Sequence, residues 1–97
     1  MLDNLQIQET IIRVQKMEQI LGEVLDALNN SPNSIKEDMV IREKIQQLTQ
    51  YYDSGQWLED YECDERGELP VDLKRGVLAE DTLYNFLDNI KQVQIVN

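Results

Sequence analysis

Residues 29–34 read "NNSPNS", and they decide how the chain is laid out. Pro32 lacks an amide proton, and Asn29 and Asn30 stop a helix more readily than they extend one. Upstream, Ile7, Val14, Leu21 and Leu28 recur every seven residues, with Ile11, Met17, Val24 and Leu25 in the adjacent positions. That is the spacing of a helix with one buried stripe. Asp3 starts it, with Gln6 three residues on as in a capping box. Downstream, Ser34 is the expected cap of a second helix, with Glu37 in the matching box position. Ile35, Val40 or Ile41, Ile45, Leu48 and Tyr52 form its apolar stripe. So short a turn between two long helices predicts an antiparallel pair. Thr10 and Glu18 interrupt the heptads, so the stripes read as a bundle core rather than a coiled-coil seam. Ile12 and Ile20 flank the first stripe and leave apolar surface for a partner, which keeps a homodimer through the hairpin among the expectations.

Past Asp53-Ser54-Gly55 the pattern changes. Gly55 suits the left-handed conformation that follows a helix end. Asp53, Glu59, Asp60, Glu62, Asp64, Glu65 and Glu68 then face Arg66 alone among nearby cations. Trp57, Leu58 and Tyr61 are spaced to share one side of a short helical turn, an anchor pinning this acidic connection to the hairpin. Trp57 is expected to be largely buried by the chain's own helices. Arg66-Gly67-Glu68 reads as a turn, Pro70 opens a new segment, and Asp72 caps a short helical turn ending at Gly76. Leu83, Phe86 or Leu87, Ile90 and Val93 mark a last helix over about 80–95, with Glu80 and Asp81 favouring its positive end. The expected fold is all-α: an antiparallel helical hairpin (about 3–30 and 34–53), an ordered acidic connection and a third, C-terminal helix, all in one domain of 1–97.

The Tyr51-Tyr52 pair before Ser54, Trp57 with its Glu-Asp-Tyr surroundings, and "LPVDLKRGVL" at 69–78 form a specific string. With the acidic pair before Leu83-Tyr84, residues 51–87 resemble an uncharacterised bacterial family, domain of unknown function 4298. The first fifty residues match only as a charged helical segment. The resemblance implies a bacterial origin and carries no activity, ligand or site residue. One departure stands out: the family pattern often has Ser where this chain has Ala79, which predicts a weaker start for the last helix.

Composition excludes several functions. Ninety-seven residues make one small domain, and 41% hydrophobic content with six aromatics suffices for one core. No run approaches the roughly 18 apolar residues that cross a bilayer, and the first ten residues lack a signal-peptide layout, so no membrane and a cytoplasmic location are expected. Nineteen acids against nine Lys and Arg give a formal charge of −10, which disfavours direct nucleic acid binding. Such a domain could instead imitate DNA to a DNA-binding protein.

The reactive residues are few. His is absent, removing the commonest general base and metal ligand. Cys63 lies between Glu62 and Asp64, whose charges oppose a thiolate. An EF-hand read from Asp60 fails, since its sixth position is Glu65 rather than Gly and its twelfth is Val71 rather than Glu. No catalytic, cofactor-binding or metal residue is therefore assigned, and no cofactor is expected. Lys74 and Arg75 either pair with nearby acids and carbonyls or meet an acidic partner. The expected function is that of a small acidic, non-enzymatic helical protein that binds another protein. Trp57, Asp60, Tyr61, Glu62, Lys74 and Arg75 form the candidate interaction surface. A DNA mimic is the alternative, and a cation-dependent hydrolase on the acidic cluster a more distant one.

Overall fold

Asp3 accepts the Gln6 amide at 2.8 Å while the Gln6 side chain accepts the Asp3 amide at 3.1 Å, so the first helix begins with the expected capping box. The computed structural model describes residues 3–79 and 81–95. Among these the chain is all helical and turn, with no strand. Helix α1 spans Asn4–Asn30 and closes where the Ser31 amide donates to Ala27 O, at the "NNSPNS" stop. Helix α3, Met39–Asp53, returns alongside it, and Lys44 reaches Glu23 at 3.3 Å across the antiparallel pair.

Ser34 does not open the second long helix. Residues Ser34–Glu37 form a separate single turn, α2, and α3 starts afresh behind Asp38. Asp38 takes an extended conformation and its carboxylate accepts the amides of Val40 and Ile41. Asp is as good an N-cap as Ser, and here it is Asp38 whose carboxylate takes the first free amides of the long helix. Asp38→Ala should therefore cost about 1 kcal/mol, read by urea denaturation. A loss of zero would mean that one helix runs from Ser34 to Asp53.

Gly55, at φ +88°, both ends α3 and precedes α4, Gln56–Glu65, so the chain turns within a few residues. The expected short helical turn is a ten-residue helix. Gly67 (φ +74°) makes the expected turn after it. The Asp72 cap is not seen: the helical turn is a 3-10 turn that begins at Gly76 and runs to Leu78, rather than ending at Gly76. Helix α5, Thr82–Ile95, closes the chain and packs on α3 and on this turn. Position 79 lies three residues before α5 and closes the 3-10 turn, so a Ser there would not sit at the helix cap.

One core joins these parts: Val14, Leu21 and Val24 meet Ile41, Ile45 and Leu48, extended by Trp57, Leu69, Val77, Leu83, Leu87 and Ile90. The stripes need correction at Ile20, Leu25, Tyr52 and Thr10, and the open choice between positions 40 and 41 falls to Ile41. Ile20 is buried rather than left for a partner, and Leu25 is about half exposed. Ile41 is the buried member of its pair and Val40 is exposed. Tyr51, not Tyr52, lies fully inside, and Thr10 is a buried part of the stripe rather than a break in it. The side chains of Ile35 and Val93, and Glu80, lie outside the described residues. The molecule measures 45 × 20 × 18 Å, its long axis matching a helix the length of α1.

Candidate functional site

The acidic connection is built around one carboxylate that faces inward. Asp60, on α4, is 1% exposed. Arg13 of α1 grips it with two bonds, Nε to Oδ2 at 2.9 Å and Nη2 to Oδ1 at 2.6 Å. Tyr51 of α3 donates its hydroxyl to Oδ2 at 2.6 Å, and Gln56 Nε2 reaches Oδ1 at 3.3 Å. Thr10 Oγ1 accepts from Arg13 and donates to Gln6 O, fixing the guanidinium from behind. A buried charge needs such pairing. Burial, then the bond to Asp60, pushes the Tyr51 phenol far above its ordinary value, and the bond to Asp60 raises Arg13 further. The tyrosine is held as a neutral donor. Three helices thus converge on one carboxylate.

A second convergence holds the 3-10 turn. Trp57 is 7% exposed, buried by the chain's own helices as expected, and its Nε1 donates to Val77 O at 2.8 Å. Glu18 of α1 accepts the Val77 amide at 2.8 Å. Val77 is therefore held at both its amide and its carbonyl. A Cβ at Gly76 would lie 3.2 Å from Glu18 Oε2, so glycine leaves room for the carboxylate to reach. Tyr61 stacks on Trp57 with ring centroids 5.1 Å apart, and Tyr52 also meets the indole, tilted by 44° at 5.2 Å. Leu58 departs from the expected anchor face and is half exposed.

Arg75 fixes the segment before that turn. It bonds Asp64, Pro70 O and Leu73 O, the pairing with acids and carbonyls that its sequence position suggests. Lys74 stays exposed. Val71, between Pro70 and Leu73, is 98% exposed, the most exposed large apolar side chain among the described residues. Beside it, a groove of about 530 Å³ runs between α1 (Ile11, Gln15, Gln19) and the turn (Pro70, Leu73, Lys74).

The six candidate interaction residues thus divide. Trp57 and Asp60 face inward, Tyr61 is half-buried against Trp57, and Arg75 is part-buried and bonded. Glu62 and Lys74 are exposed. Sequence reasoning missed Arg13, Glu18 and Tyr51. Cys63 is buried, and burial first, then the charge of Glu68, pushes its thiol up and away from nucleophilic use. Among the described residues no three His, Cys, Asp or Glu side chains are placed to hold a metal ion, and no helix is long and apolar enough to cross a membrane.

The fold and this site define a small all-α protein whose acidic connection is tied into the helical core. Residues 14–97 match the family model described as "Domain of unknown function (DUF4298)", and the chain belongs to that family. No curated protein and no solved structure matches it.

Proposed function

We propose that the chain acts by binding another protein through the outer surface of the connection, with Val71 as the anchor and Lys74 at the rim. The observation that carries this reading is an apolar side chain 98% exposed on a turn held by Arg75 through Pro70 O, Leu73 O and Asp64. A side chain presented on a fixed turn loses little entropy when a partner covers it. An apolar centre with a polar, charged rim is the general layout of a protein interface. Asp60 and Trp57 face inward and tie the connection to the helices rather than touching the partner.

Val71→Asp changes only this surface, and its stability should stay within about 0.5 kcal/mol of wild type. In affinity capture from cells that express the protein, Val71→Asp should lose the partner that wild type retains, with Lys74→Glu weakening it less. Equal capture by wild type and Val71→Asp would overturn the reading. If the partner is a second copy, light scattering should give a dimer for wild type and a monomer for Val71→Asp.

A further inference from the structure

A second concave site shares no residue with the Val71 turn. Thr49, Tyr52 and Asp53 on α3 and Tyr84, Leu87 and Asp88 on α5 line a cavity of about 100 Å³. On each helix the positions are i, i+3 and i+4, so both present one face to the cavity. Leu87 is buried and forms an apolar wall. The rings of Tyr52 and Tyr84 lie 6.2 Å apart, inclined at 50°, and Tyr52 is braced from its other neighbour by Trp57. Tyr84 is 52% exposed, so the cavity has an open side. The acidic side chains lining it are those of Asp53 and Asp88.

We infer that this cavity binds the head group of an alkylammonium cation. Size is the first argument: 100 Å³ is well below the roughly 300 Å³ of a cavity for a drug-sized ligand. A single head group fits. Aromatic faces attract a cation within about 6 Å of the ring centroid, and methylated ammonium groups are the cations such cages take. The carboxylates supply the opposite charge, while Leu87 favours methyl groups over a strongly hydrated metal ion. The source of the ammonium is either a free small amine or a methylated lysine of a protein.

The test is a titration of the isotopically labelled full chain by nuclear magnetic resonance. The probes are choline, its uncharged carbon isostere 3,3-dimethylbutan-1-ol, and a short peptide with one trimethyl-lysine. Choline or the peptide should give saturable shifts centred on residues 49–53 and 84–88, and the neutral isostere should not. Tyr84→Ala and Asp53→Asn/Asp88→Asn should each weaken binding at least about tenfold, whereas Tyr84→Phe, which keeps the ring, should retain it. Tighter binding of the peptide would identify a protein side chain as the source; tighter binding of choline would identify a small amine. Three results would overturn the inference. These are no saturation by either cation, equal shifts from the neutral isostere, or shifts over the whole acidic surface that Tyr84→Ala leaves unchanged.

Discussion

Asp60→Ala should destabilise the protein by about 3–5 kcal/mol, the usual cost of removing one partner from a buried ion pair. The loss leaves the Arg13 guanidinium and the Tyr51 hydroxyl without the carboxylate on which both converge. Arg13 keeps 29% of its side chain exposed, so water relieves part of its penalty and the lower end of the range is expected. Tyr51, 4% exposed, has no such relief. Against a total stability of about 5–15 kcal/mol this is a large fraction. Arg13→Met in the Asp60→Ala background should recover part of it, because the unpaired charge has gone. Urea denaturation of both variants at neutral pH measures the effect. A loss under about 1 kcal/mol would place Asp60 among ordinary surface ion pairs.

Trp57→Ala should cost a similar amount, about 3–5 kcal/mol, from the cavity left by a buried aromatic. Two ring contacts and the bond to Val77 O disappear with it. Trp57→Phe separates packing from bonding. It keeps most of the apolar volume and orphans a buried carbonyl, a penalty of about 1–3 kcal/mol. An alanine variant as stable as wild type would show that the connection is not anchored by this residue.

The helices were legible because periodicity is local. Ile7, Val14, Leu21 and Leu28 mark α1, and Leu83, Leu87 and Ile90 mark α5, without reference to anything distant in the chain. The burial of Trp57 was legible too, since a lone indole amid acids needs cover. The partners of the connection were not. Arg13 and Asp60 stand 47 residues apart, and Glu18 and Val77 stand 59 apart, so no spacing rule connects them. The only trace was negative: Thr10 and Glu18 are polar where the heptads call for apolar side chains, and both serve the two convergences. Tyr51 and Tyr52 are neighbours on the edge of one stripe. The choice between them depends on which hydroxyl reaches Asp60, and that is a tertiary fact. The break at Asp38 was hidden because Ser34 offered an equally regular capping box.

The 53–78 connection is an ordered corner locked to α1, and the Val77 amide reports it directly. Its proton is bonded to Glu18, 59 residues away in sequence, so it can exchange with solvent only when the corner leaves the helix. Native-state hydrogen exchange should find Val77 opening with a free energy close to that of core amides such as Leu21, within about a factor of ten in rate. Exchange of Val77 at the rate of an unprotected loop amide, while Leu21 stays protected, would show that the corner is not locked to α1.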